Sequence, residues 1–410
     1  MAYSPKFPII FTKENLDAFG RIKVSNSFTL LDFKQTTPSY SLQVYDLELS
    51  GSNTFSTYDQ NRAKTQIGTL TGSAGNRIFE TIGRGNYQPG KGLSIEMTAA
   101  QFQPVTDSTK RVGYFNDSNG IFFESSGGTF KLVLRANNTG TPVDSVIEQS
   151  AWNIDKLDGT GASGITLDPQ QINIYAFDLE WLGGGSIWAS IFINGEEIIV
   201  HRIDNANIND QVTFSTPVLP CRWEIDSLSS APTSRLDCVC ANIHVDGGTE
   251  LARSGILRNI ERENYELGAG TAFANIPLIS FRLASGYDYL EAIPLTTEVM
   301  LTSNANAFFG LAVNPTIGGT DQASWVTFPG SAIQYDVSRD TTNLLTLTDA
   351  NKAFGTYVTT SGDLSRTGLD ELFIFSRNPS TGLSREYVLF IRPFTNNEAA
   401  SCTINFRELT

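Results

Sequence analysis

Residues 187–203 constrain this chain more than any other stretch. Ile187-Trp188-Ala189-Ser190-Ile191-Phe192-Ile193 runs into Asn194-Gly195 and then into Glu196-Glu197-Ile198-Ile199-Val200-His201-Arg202-Ile203. The flanks are β-branched and aromatic, and Asn-Gly supplies the positive φ angles of a tight hairpin turn whose twist matches paired strands. Upstream, Ile172-Asn173-Ile174-Tyr175-Ala176-Phe177-Asp178-Leu179-Glu180-Trp181 alternates in the same way, as does Gly92-Leu93-Ser94-Ile95-Glu96-Met97. Ile121-Phe122-Phe123-Glu124 and Thr129-Phe130-Lys131-Leu132-Val133-Leu134-Arg135 flank Ser125-Ser126-Gly127-Gly128, a second hairpin pattern. Helix signals are sparse. Twenty-six Phe against 3 Met suits stiff side chains filling the space between stacked sheets. An all-β, antiparallel sandwich is therefore expected.

A chain of 410 residues predicts two or three domains. Residues 1–75, with Pro5 and Pro8 in an extended lead and a polar loop at 50–57, read as an N-terminal attachment arm carrying one or two strands. Residues 76–247 read as one sandwich of many short strands. Residues 248–268 hold the best chance of a short helix or linker, closed by Gly268-Ala269-Gly270. Residues 269–410 read as a second β domain, with strands near 276–284, 297–301, 307–313, 344–347, 372–375 and 386–392.

Lys and Arg number 29 against 43 Asp and Glu, a net charge of −14. That balance argues against a nucleic-acid binder, which needs a basic footprint. No run approaches the ~18 apolar residues of a membrane span. Met1-Ala2-Tyr3-Ser4-Pro5-Lys6-Phe7-Pro8 lacks the apolar core of a signal peptide, so synthesis in a cytoplasm is expected, with any exit by a route such as host lysis. Cys221, Cys238, Cys240 and Cys402 are too few for a disulfide framework. Cys238 and Cys240 share a strand face and lack metal spacing, so they read as small buried apolar residues.

Several stretches could carry chemistry. Gly159-Thr160-Gly161-Ala162-Ser163-Gly164 is a literal G-x-G-x-x-G. A dinucleotide site needs that pattern after a strand and opening a helix, whereas here Ile165-Thr166-Leu167-Asp168-Pro169 follows, so it reads as a sandwich loop. Asp178 and Glu180 should share one strand face, ~7 Å apart. The order of strands and hairpins around them resembles the concanavalin A-like jelly rolls, which include lectins and glucanases. Some of those glucanases carry Glu-x-Asp-x-Glu on one strand, but here the first position is Ala176, so one end carboxylate of the pair is missing and solvated strand carboxylates are expected. Asn116-Asp117-Ser118-Asn119-Gly120 could surround Ca²⁺, yet it lacks the distal Glu of a calcium loop and reads as a turn. Asp155, Asp158 and Asp168 could gather around a cation, which spacing alone does not establish. His201 and His244 stand beside no nucleophile elbow or metal-spaced partner. Trp152, Trp181, Trp188, Trp223 and Trp325 could stack on sugars, but apolar alternation around most of them favours the core. No catalytic, cofactor or metal residues are assigned.

Longer motifs carry a resemblance. Asp17-Ala18-Phe19-Gly20-Arg21, Asn86-Tyr87-Gln88-Pro89-Gly90-Lys91, and Gly113-Tyr114-Phe115 with Asn119-Gly120-Ile121-Phe122-Phe123 lead up to the most specific match. That match is Trp152-Asn153-Ile154-Asp155-Lys156-Leu157-Asp158-Gly159-Thr160-Gly161, followed by Gly164-Ile165-Thr166-Leu167-Asp168 and Glu180-Trp181-Leu182-Gly183. His201, Asn205-Ala206-Asn207, Pro217-Val218-Leu219-Pro220, Val313-Asn314-Pro315, Gly319-Thr320-Asp321 and Phe406-Arg407-Glu408-Leu409 continue it. Together they resemble a family of virion structural proteins of tailed phages. The resemblance implies a non-enzymatic particle component that decorates the capsid or forms a fibre or tail-associated part. It offers no catalytic or cofactor residues to carry over. The implied location is the virion. The implied partners are other copies of the chain, with a trimer as the expected symmetry, and neighbouring capsid or tail proteins. The alternative is a lectin-like, glycan-binding host-attachment module, whose partners are host surface glycans and whose mark would be a row of exposed aromatics or a Ca²⁺ site. A glycoside hydrolase is disfavoured by Ala176.

Overall fold

A computed structural model of the chain describes residues 27–38, 43–181, 185–246, 255–301, 306–348, 352–359, 365–367 and 373–409. Among them the only helical element is one short 3-10 turn, Gln149–Ala151, and every other regular element is a strand. All pairings between those strands are antiparallel. The fold is thus all-β, and it divides into two compact units, Met1–Thr249 and Glu250–Thr410.

The N-terminal unit is a jelly-roll-like sandwich of two large sheets. Across the first sheet the strands run Glu196–Asp204, Ser186–Ile193, Asn173–Leu179, Leu93–Ala100, Ser234–Val245, Lys64–Thr69 and Thr54–Asp59, with Phe28–Lys34 also on Ser234–Val245. Across the second they run Val143–Glu148, Thr129–Ala136, Gly120–Ser126, Ser108–Phe115, Cys221–Ser227, Gly75–Thr81 and Val44–Gly51. Alternation decides what each strand buries. Trp223 and Ile225 point inward, Trp223 in register with Phe79 and Val112. They share one core with Ile95, Met97, Tyr175, Phe177 and Ile243. The Asn194-Gly195 hairpin forms as its sequence dictates: Ile193 pairs with Glu196, and the two turn residues take φ of +55° and +84°.

Two boundaries differ from expectation. The attachment arm expected over 1–75 is part of the sandwich from Phe28 onward, while residues 1–26 lie outside the described residues. The cause is burial: Phe33 packs its ring against Phe79 (5.9 Å) and Trp223 (6.3 Å), and Ile67 lies in the same core. The helix or linker expected over 248–268 is, in its described part, the strand Ile256–Glu266 on Ala399–Leu409. Residues 247–254 lie outside the described residues. Only Ile260 in that strand is buried, so its polar sequence reflects a sheet edge rather than an amphipathic helix.

The C-terminal unit is a second β-rich unit built around its own core. One sheet holds Ile256–Glu266, Ala399–Leu409, Tyr289–Leu301 and Ser365–Thr367, with Phe373–Ser376 also on Tyr289–Leu301. A second runs Val326–Thr327, Ile333–Asp336, Ile276–Leu283, Glu386–Pro393, Asn306–Val313 and Lys352–Thr359, and a third pairs only Thr316–Ile317 with Leu345–Thr346. Phe281 sits at the centre of this core, with Phe373, Phe375, Tyr387 and Phe406 at ring-centroid distances of 5.4, 5.9, 5.5 and 6.1 Å.

Candidate functional site

At one end of the N-terminal sandwich, turns and loops enclose an open cleft of about 440 Å³. Its floor is apolar. Phe130 and Leu167 line it, flanked by Pro104 and Pro169. Phe130 belongs to an aromatic cluster in which Phe102, Phe123, Trp152 and Tyr175 lie 5.1–6.2 Å from its ring. The floor is therefore the outer surface of the core and cannot move independently of it. The rim is polar: Thr129, Glu148, Gln149, Ser150 and Asp158 line the cleft.

The loop that carries Asp158 and Leu167 owes its shape to Asp155. This carboxylate is buried, and it accepts hydrogen bonds from the backbone N–H of Leu157 (2.9 Å) and Ser163 (2.7 Å). A Cβ at Gly161 would lie 2.0 Å from Asp155 Oδ1, so the close approach requires glycine. Leu157 and Leu167 are joined by a 2.8 Å bond, and Gly159 donates to the Ile165 carbonyl. The literal G-x-G-x-x-G is thus a loop wrapped round an acid, with no helix behind it to receive a phosphate. Gln149 clamps the loop by donating to the carbonyls of Lys156 (2.8 Å) and Leu157 (3.2 Å). Asn153 ties it to the neighbouring strand: its N–H donates to His201 Nδ1 (3.1 Å) and its side-chain amide to the Arg202 carbonyl (2.9 Å).

Lys110 secures the opposite wall. Its side chain is buried and Nζ donates to the carbonyls of Gln101 (2.6 Å) and Gln103 (3.1 Å), in the turn that presents Pro104. Burial pulls this ammonium down to about 7, partly offset by the Asp237 carboxylate. Phe102 N–H donates to the Pro169 carbonyl (2.8 Å), joining the two walls.

The other candidates are consumed locally. Asn116 Oδ1 accepts from the N–H of Ser118 and Asn119, Asn119 Oδ1 accepts from Asn137 and Ser215, and Asp117 pairs with Arg222 at 2.5 Å. Asp158 accepts from Thr160, and Asp168 from Gln170 N–H. Among the described residues no three His, Cys, Asp or Glu side chains come together as a metal site. Glu180 is buried rather than solvated, accepting from Tyr87 Oη (2.8 Å) and Gly185 N–H (2.7 Å). Asp178 accepts from Ser94. His244 meets Asn242, far from the His201 contact with Asn153. Trp152 and Trp223 are core residues, Trp181 donates to the Phe214 carbonyl, Trp188 lies under Arg202, and Trp325 lies against Arg282 and Arg339. The cleft itself was not legible in the sequence. Its polar members come from two strand ends, a 3-10 turn and a loop, and only tertiary placement brings them together.

No family model and no curated protein matches the chain. Among solved structures, lectin UEA-II in complex with galactose is similar at 6% identity, with a TM-score of 0.34 over 54% of this chain and 98% of that one. A legume lectin-like domain from Entamoeba histolytica is similar at 8% identity, with a TM-score of 0.31 over 53% and 98%. A protein of unknown function from Shewanella oneidensis MR-1 is similar at 9% identity, with a TM-score of 0.32 over 60% and 99%. The description of the fold rests on the sheets themselves.

Proposed function

We propose that this protein acts by binding rather than by catalysis, and that the N-terminal sandwich takes carbohydrate in its terminal cleft. The observation that carries this is the pairing of an apolar floor, Phe130 and Leu167, with a rim of side-chain oxygens, Glu148, Ser150 and Asp158. A sugar ring presents an apolar C–H face and a hydroxyl-bearing edge, and this cleft offers a surface for each. The walls are pre-ordered by the Asp155, Gln149 and Lys110 hydrogen bonds, which lowers the ordering cost of binding. The strand carboxylates that a glucanase would use point the same way: position 176 is Ala and Glu180 is engaged by Tyr87. The test is a glycan array probed with the full chain and with Asp158→Asn and Ser150→Ala. Saturable binding to a defined glycan class, weakened by both variants, is expected. Binding that neither variant alters would refute the cleft, and no response to any glycan would refute the reading.

The sequence resemblance favours a second reading, compatible with the first: a structural component of a tailed-phage particle, with the glycan site serving attachment to a host. Its motifs are spread over both units, from Asn86-Tyr87-Gln88 to Phe406-Arg407-Glu408. This reading predicts copurification with intact particles in constant stoichiometry. Absence from purified particles would remove it.

A further inference from the structure

The C-terminal unit carries a second feature that the cleft does not use. Phe273 and Tyr357 are among the most exposed large apolar side chains of the described residues, at 69% and 70%. They are not scattered. Phe394 lies between them, 5.8 Å from Phe273 and 6.2 Å from Tyr357, and Phe308 follows at 5.4 Å from Tyr357. The row starts on a small satellite core: Phe308 packs against Phe390 and the residues around Leu345. It ends at Phe273 on an exposed loop.

Phe273 is held in place at a conformational cost. Its φ is +63°, a genuine outlier for a bulky side chain. The surrounding backbone over-determines it: Phe273 N–H donates to the Pro393 carbonyl (2.7 Å), Ala274 N–H to the Thr271 carbonyl (3.0 Å), and Ala272 N–H to Asn396 Oδ1 (2.9 Å). Thr271 Oγ1 in turn donates to the Gly268 carbonyl (2.9 Å). A strained backbone that presents a ring to water, where burial would be favourable, points to a task for the ring at the surface.

We infer that the Phe273–Phe394–Tyr357 row is a stacking platform for a neutral saccharide chain, separate from the N-terminal cleft. Three observations favour that ligand over others. The surface is made of rings, which offer flat faces to the C–H side of a pyranose. It is bordered by exposed Thr395 and Asn396; the Thr395 hydroxyl is tied to Glu398 and Asn396 Oδ1 to Ala272 N–H, so the Asn396 side-chain amide N–H is the donor this border offers to a hydroxyl. Arg392, two residues before Phe394, is turned over Phe308 and donates to Asn275 Oδ1 at 2.8 Å, so it is engaged within the protein and gives an anionic ligand little to hold. The inference takes its ligand class from the reading proposed above but stands on different residues.

The test is affinity electrophoresis of the full chain in gels containing amylose, hydroxyethylcellulose, galactomannan or agarose, with the variants Tyr357→Ala, Phe273→Ala and Tyr357→Phe. Retardation by at least one of these polysaccharides is expected. Tyr357→Ala and Phe273→Ala should each weaken it at least tenfold, and Tyr357→Phe should retain it. Unchanged melting temperature of Tyr357→Ala, whose side chain is mostly in solvent, separates lost binding from lost folding. The tenfold loss on Tyr357→Ala is expected equally in an Asp158→Asn background, where the cleft is impaired. Retardation abolished by Asp158→Asn and untouched by Tyr357→Ala would overturn the platform while sparing the cleft. Retardation by none of the four gels would overturn it, as would self-association that disappears in Tyr357→Ala without any retardation.

Discussion

Replacing Gly161 by alanine tests the architecture of the cleft wall most directly. The new methyl carbon would stand 2.0 Å from Asp155 Oδ1, 2.4 Å from its Cγ and 2.7 Å from Oδ2. The carboxylate cannot swing aside freely, because its two oxygens hold the N–H groups of Leu157 and Ser163. Moving it breaks one or both of these charge-assisted bonds, each worth about 1.5–3 kcal/mol, so a loss of ~2–5 kcal/mol is expected. Asp155→Ala should cost a similar amount, since it orphans the same donors. The two changes share one contact and so should not add: with the carboxylate gone, the extra methyl meets no clash. The favourable coupling in the double mutant should then equal the Gly161→Ala cost itself, about 2–5 kcal/mol. Urea unfolding followed by tryptophan fluorescence reads this, because Trp152, Trp181, Trp188 and Trp223 all lie in the N-terminal unit. A Gly161→Ala cost below ~0.5 kcal/mol, or strict additivity with Asp155→Ala, would show that the loop is not organised around this acid.

Three further outcomes follow from buried polar groups. Burial holds His201 below its ordinary range, and Nδ1 accepts from Asn153 N–H, so the fold prefers the neutral ring. The stability it contributes is present above the unfolded value of ~6.5 and is lost as pH falls through that value toward the lowered folded one. The melting temperature should therefore drop between pH 7.5 and pH 5, and His201→Gln should flatten that slope. Arg222 is buried against Glu80 at 2.6 Å and Asp117 at 2.5 Å. Arg222→Met leaves the buried Glu80 uncompensated and should cost ~3–5 kcal/mol in urea unfolding, with Glu80→Gln in the same chain recovering part of it. Burial pushes the thiols of Cys221, Cys238 and Cys402 upward, Cys402 to about 12. A thiol reagent at pH 8 should leave these three unmodified in the native protein and reach them all in urea; rapid native labelling would contradict their burial.

What could be read from the residues follows the range of the interactions involved. The Asn194-Gly195 hairpin and the alternation of Asn173–Leu179 are local patterns, and both strands formed as expected. Phe28–Lys34 is different. Its strand is defined by pairing with Ser234–Val245, about two hundred residues away, and by Phe33 reaching Phe79 and Trp223. No local pattern announces such a partner, so the segment read as an arm. Ile256–Glu266 failed for a second reason. An edge strand with one buried residue has almost no alternation to detect, and its interleaved charges imitate a helix surface. Glu180 failed for a third: an acid at a strand end is solvated or buried according to which donors the fold brings to it, here Gly185 N–H and, from a distant loop, Tyr87 Oη. The aromatic row shows the limit most plainly. Phe273 and Phe281 are the same residue eight positions apart, one exposed and strained, the other at the centre of a core. Composition counts them alike, and only tertiary placement separates a ring that stabilises the fold from one left available for a ligand.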